Sequence, residues 1–251
     1  MEATYFFDSQ VGGREDNQDC GLFYAFPFPQ PVSAFILADG MGGLSHGADC
    51  ARSTAAALCA ELLYALYPTI LAGNTLCGED VARALKTSMC AAADRVYEAG
   101  RDRMSAAGST LTAALLTSDS LVVGVIGDSP AYLVEDSHAQ LLTPLHNLAF
   151  SQGITPNMPG YAQASCRLTQ CIGTRPGDCL TPALYTCPRS SLSGRVLLLG
   201  SDGAFGALTD VQIGELVQSL RDQPHAVIPA LFAAARQSGS TDNQTLFTVF
   251  L

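Results

Sequence analysis

The stretch VSAFILADGMGG (residues 32–43) decides how the rest of the chain is read. Val32–Ala38 is apolar except for Ser33 and of strand length, bounded by a proline before and by glycines after, so it predicts a buried β-strand. Asp39 follows directly, and Gly40 lets the backbone turn tightly beside it. Outward from this strand, TYFFDSQ (4–10) and CGLFYAF (20–26) read as two further strands. Helices are expected over about 47–66 and 79–99. The second of these places Val81, Leu85, Met89, Ala92 and Val96 on one face, with Glu79 and Asp80 in its first turn. Strands return at 110–117, 120–127 and 131–135, then near 180–186 and 195–201. Helices near 209–221 and 224–237 precede a last strand, TLFTVFL (245–251). Strands and helices come in blocks rather than in strict alternation, which predicts an α+β layered fold instead of a doubly wound sheet.

Composition narrows the function. The chain has 251 residues, 48% of them hydrophobic and only 14% charged, and its formal net charge is −10. That excludes a disordered chain. It also argues against nucleic acid as a partner, since a general basic surface is missing. The apolar run near 54–72 is interrupted by Glu61 and Pro68, so it is read as a core helix with no membrane partner. No basic residue precedes Arg14, and nine cysteines without a C-x-x-C pair suit reduced thiols, so a cytoplasmic location is expected. With no repeat or linker in view, residues 1–251 are expected to form one domain.

The aspartates are placed with a pattern. Asp39, Asp128 and Asp202 each follow an apolar strand, Asp242 precedes the last strand, and Asp19 sits just before the strand beginning at Cys20. Strand ends of a layered core can converge on one rim. Carboxylates crowded together repel and take up protons unless cations neutralise them. Their oxygens select hard cations such as Mg²⁺ or Mn²⁺. Arg14, in GGREDNQD, supplies a planar guanidinium suited to phosphate, with a surface ion pair to Glu15 or Asp16 as the alternative. Metal ions and an arginine together describe phosphoryl transfer. Competing motifs are weaker. Cys77 and Arg83 have the C-x5-R spacing of a cysteine phosphatase, but Glu79 and Asp80 would repel phosphate. His46 is read as a loop histidine near Asp39.

Six collinear motifs give the chain a family resemblance. R-x-x-N-Q-D (14–19), ADGMGG (38–43), GSTLTAALL (108–116), GDS (127–129), LLLGSDG (197–203) and STDNQT (240–245) resemble the metal-dependent serine/threonine phosphatases of type 2C, the PPM family, especially its compact bacterial members. The resemblance implies a four-layer α-β-β-α sandwich of two antiparallel sheets, forming a single phosphatase catalytic domain. It implies that Arg14 binds phosphate, that Asp39 bridges two metals, and that the Gly40 carbonyl ligates one of them. Asp202 and Asp242 would ligate the second metal, Asp19 would hold metal-bound waters, and Asp128 would share a third, weaker ion with Asp202. The implied cofactors are Mg²⁺ or Mn²⁺, two in the core plus that third ion. The implied reaction is hydrolysis of phosphoserine or phosphothreonine in proteins by a metal-bridging hydroxide, without a phosphoenzyme. Partners would be phosphorylated Ser/Thr proteins, a Ser/Thr protein kinase among them. The excursion at 143–165 resembles the family's mobile flap. Departures are Gln18 for the usual Glu, Pro130 for Arg, Leu44 for His, and Met41 where eukaryotic members have a histidine. A catalytically weak relative that binds a kinase or phosphoprotein is the alternative; the intact aspartates favour an enzyme.

Overall fold

A computed structural model describes residues 3–26, 30–41, 46–100, 107–155, 158–206 and 208–251. The elements are β1 (Thr4–Gln10), β2 (Asp19–Phe26), β3 (Val32–Met41), α1 (His46–Leu71), α2 (Gly78–Gly100), β4 (Gly108–Ser109), β5 (Leu111–Leu116), β6 (Ser120–Ile126), β7 (Ala131–Glu135) and β8 (His138–Leu141). They continue with α3 (Leu148–Ser151), α4 (Tyr161–Ser165), β9 (Ala183–Pro188), β10 (Val196–Gly200), α5 (Asp202–Phe205), α6 (Asp210–Ser219), α7 (Val227–Gln237) and β11 (Gln244–Phe250). One sheet runs β1-β11-β10-β7-β8. The other runs β2-β3-β5-β6-β9, with β4 paired to β3. Neighbouring strands are antiparallel throughout. Helices flank both sheets, so the fold is the expected α+β sandwich.

The central strands β5, β6 and β10 are almost wholly apolar because both of their faces are buried. In β6, Leu121, Val123 and Val125 pack between the sheets, while Val122 and Ile126 face α1 and α2. In β10, Leu197 and Leu199 join the inter-sheet core, whereas Leu198 faces α6 and α7. The period of two survives as a choice of layer, not as a choice between core and water.

α1 turns Leu58, Leu62 and Leu66 onto the sheet at four-residue steps, all essentially inaccessible. Each such leucine contributes ~1.5–3 kcal/mol. By length and composition α1 would be long enough to cross a membrane, yet it packs on β3 and α2.

Three boundaries differ from expectation in ways that bear on function. β3 runs to Met41, so Asp39 and Gly40 lie inside the strand rather than after it, held by pairing of Gly40 with Ser109. β2 begins at Asp19 itself. α1 continues through Pro68 to Leu71, because the Ala72 N–H still reaches the Pro68 carbonyl at 3.1 Å. The excursion carries the short helices α3 and α4, and the polar strand β8 precedes it; sequence periodicity is too brief to announce any of them.

Candidate active site

The β2–β3 pairing register sets Asp19 directly across from Asp39. Thr110, just before β5, clasps Asp39 from the other side. Its Oγ1 accepts the Asp39 N–H at 3.0 Å, and its own N–H donates to the Asp39 carbonyl at 2.9 Å. Gly40 lies where the start of α1 meets β3: a Cβ there would strike the Gly47 carbonyl, so only glycine fits.

Asp128 follows β6 through Gly127, whose φ of +105° places it in the left-handed region that favours glycine. The Ser129 hydroxyl shares a 2.7 Å hydrogen bond with the Thr110 hydroxyl, which ties the Asp128 turn to Asp39. On the opposite side the Asn147 amide Nδ2 donates to Asp128 Oδ2 at 3.4 Å.

The first sheet supplies the remaining groups. Asp202 opens α5 directly after β10, and Asp242 stands just before β11. Ser201 Oγ donates to Asp19 Oδ2 at 2.8 Å and accepts the Thr245 N–H at 3.0 Å, joining the two sheets at their rim. Arg14 Nη2 meets Asp242 Oδ2 at 2.6 Å, so its ion-pair partner is Asp242 and not Glu15 or Asp16. Asn243 fixes the arginine's loop: its Nδ2 donates to the Val11 and Asp16 carbonyls, and its Oδ1 accepts the Gln18 N–H. Thr110, Ser201 and Asn243 stood in the quoted motifs and Asn147 in the excursion, but only long-range contacts assign them a task.

The groups open onto a cleft of about 710 Å³ lined by Arg14, Asp39, Gly40, Asp128, Asp202 and Asp242, among others. Burial pushes the Asp39 carboxyl well above the usual range, and the charges of Asp19, Asp202, Asp128 and Asp242 push it further. Burial raises Asp19 to about 6 against the bonds from Thr245 and Ser201. It raises Asp128 to about 7, helped by the charge of Asp202 and opposed by Asn147. Asp202 also moves up, through burial and then the charge of Asp242. Arg14 is held more firmly protonated by its bond to Asp242.

Such a set of carboxylates fits divalent cations. Asp19 Oδ1 is buried without a hydrogen-bond donor, as expected of an atom facing hydrated metal ions. Among the described residues no three acidic, histidine or cysteine side chains already stand as a closed cage. Asp39 with Gly40, Asp202, Asp242 and Asp128 would hold the cations, with Asp19 behind them.

Other candidates fall away. Arg83 is paired with Asp80 at 3.0 Å, which also accepts from Cys77, and neither Cys77 nor Arg83 lines the cleft. His46 is the exposed first residue of α1. Gly42, Gly43 and Leu44 lie outside the described residues. All nine cysteines are free, and one of them, Cys166, lines the cleft, which the sequence did not announce.

The family model for protein phosphatase 2C matches residues 16–223. The chain belongs to the protein phosphatase 2C family. As expected from its motifs, it is a protein-serine/threonine phosphatase by class. A candidate protein phosphatase of Mycoplasma genitalium is 27% identical over 254 aligned positions, covering 95% of this chain and 91% of the relative. Two solved members share the fold. A bacterial serine phosphatase superposes with a TM-score of 0.80 at 22% identity, covering all of this chain and 97% of that one. The PPM Ser-Thr phosphatase of Mycobacterium smegmatis, crystallised with cacodylate, does so with 0.73 at 25% identity, over 99% and 98%.

Proposed function

We propose that this phosphatase depends on Mg²⁺ or Mn²⁺ and hydrolyses phosphoserine and phosphothreonine in proteins by direct attack of water, with no phosphoenzyme. The observation that carries the reading is the convergence of Asp128, Asp202 and Asp242 on Asp39 along one cleft, with Arg14 at its edge. Divalent ions bound there supply Lewis acidity, lowering the pKa of water and cancelling phosphate charge.

The chain's own groups do the rest. Asp39, Asp202 and Asp242 hold the cations, Asp128 a weaker one, and Asp19 orients water through its free oxygen. Arg14 is half exposed, with 57% of its side chain accessible, so its guanidinium can leave Asp242 and fork onto two phosphate oxygens. Met41 has no proton to donate at the cleft wall, so solvent water protonates the departing serine or threonine oxygen. A phosphorylated Ser/Thr kinase belongs among the substrates on this reading.

The test is hydrolysis of p-nitrophenyl phosphate and of phosphothreonyl and phosphotyrosyl peptides, with Mn²⁺ and with EDTA. Turnover of the phosphothreonyl peptide should need Mn²⁺, stop with EDTA and return when Mn²⁺ is restored. Activity that survives EDTA, or is absent with Mn²⁺, would overturn the proposal.

A further inference from the structure

Asn147 is buried, only 6% exposed, near the start of the excursion, whose chain returns to the cleft wall at Cys166 and Leu168. Its side chain makes two unrelated bonds. Oδ1 caps α3 by accepting the Phe150 N–H at 2.9 Å, and Nδ2 donates to Asp128 Oδ2 at 3.4 Å. The backbone around it is clamped on both sides. The His146 N–H donates to the Gly127 carbonyl at 2.8 Å, and His146 Nδ1 accepts the Gly127 N–H at 3.2 Å. Asn147 itself bridges to Leu168, which lines the cleft, and the Leu148 N–H donates to the Arg167 carbonyl at 2.9 Å. Residues 146–147 therefore grip both 127–128 and the returning limb of the excursion.

A cap alone does not require asparagine. Serine and aspartate cap helix starts about as well. What asparagine adds is an amide donor, and within this buried position that donor is directed at the carboxylate of Asp128. The contact is longer than the usual ~2.9–3.0 Å, and the remaining lone pairs of Asp128 stay available to a cation.

We infer that Asn147 is a positioning residue that couples the excursion to Asp128, so that the order of α3 and the aim of the Asp128 carboxylate depend on one side chain. The inference rests on the reading of Asp128 as the ligand of the weaker cation. Binding of that cation and ordering of α3 then reinforce each other, because each favours the same placement of the amide.

Two substitutions separate the bonds. Asn147→Ser keeps a capping oxygen but has no amide; Asn147→Ala loses both. Mn²⁺ binding to the metal-free protein is read by paramagnetic resonance of free Mn²⁺, and exchange of the α3 amides by mass spectrometry, alongside Asp128→Ala. Asp128→Ala should lose the weakest Mn²⁺ site. Asn147→Ser should weaken that same site about tenfold and abolish its Mn²⁺-dependent protection of α3, while basal exchange in EDTA stays as in the unaltered chain. Asn147→Ala should show faster basal exchange as well. If Asp128→Ala loses the site and Asn147→Ser binds Mn²⁺ unchanged, the coupling role is wrong and Asn147 is only a cap. If Asp128→Ala binds Mn²⁺ unchanged, the reading of Asp128 fails first and the inference with it. Should Asn147→Ala not fold, the serine variant decides the matter alone.

Discussion

Asp39 is where the charge conflict is greatest. It lines the cleft, where burial and four other carboxylates raise its pKa. On the proposed reading, cations turn that conflict into the binding energy of the site. Asp39→Asn keeps the shape and removes the charge, so kcat/KM should fall by about 10³-fold or more. Steady-state kinetics on a phosphothreonyl peptide at saturating Mn²⁺ check this, and a near-normal rate would remove Asp39 from the centre. Arg14 is different, since it sits at the exposed edge on Asp242. Arg14→Ala should mainly raise KM, about tenfold, with a smaller change in kcat. The two kinetic signatures separate holding the ions from holding the phosphate. Both residues were legible in the sequence from strand ends and motif order. The partner of Arg14 was not, because Asp242 lies 228 residues away along the chain.

Single elements show which local rules matter. The turn after β6 exists because Gly127 accepts φ +105°, and a Cβ there would come within 2.7 Å of the Thr110 side chain. Gly127→Ala should therefore cost about 2–4 kcal/mol, from backbone strain plus overpacking. It should also shift Asp128 and Thr110, lowering activity; urea unfolding and peptide turnover measure the two effects. α6, in contrast, begins with a reciprocal capping box between Thr209 and Gln212, neither of which lines the cleft. Thr209→Ala should cost about 1 kcal/mol and leave turnover per folded molecule unchanged. Long elements such as α2 and β3 could be read from the sequence because many side chains vote together. β8, α3 and α4 could not, since four or five residues carry too little pattern to outweigh tertiary contacts.

At the scale of the whole molecule, the site works against the fold that carries it. Asp19 at about 6 and Asp128 at about 7 lie above their unfolded values, as do Asp39 and Asp202. Carboxyls raised in the folded state contribute stability that is fully present below about pH 4 and lost as pH rises through about 6–7. Metal-free protein should thus lose this contribution between pH 5 and pH 8. His146, lowered by burial, has the opposite sign and loses its contribution as pH falls. The clean observable is therefore the gap between melts in Mn²⁺ and in EDTA, which should widen from pH 5 to pH 8. Mn²⁺ at a hundred times its Kd adds about 2.7 kcal/mol, or roughly 5–10 °C in Tm. A gap that narrows with pH would contradict these carboxylates as the ion site.

Residue order alone determined the layered fold class and the family. Apolar runs of strand length set the strands, the blockwise order set the α+β class, and aspartates recurred at strand ends. Only the tertiary structure decided which strands became neighbours, so only it set Asp19 against Asp39, Arg14 against Asp242 and Asn147 between α3 and Asp128. The physical reason is range. Periodicity and turn chemistry act over a few residues, whereas these contacts join distant segments and are selected by sheet register and by burial of both strand faces.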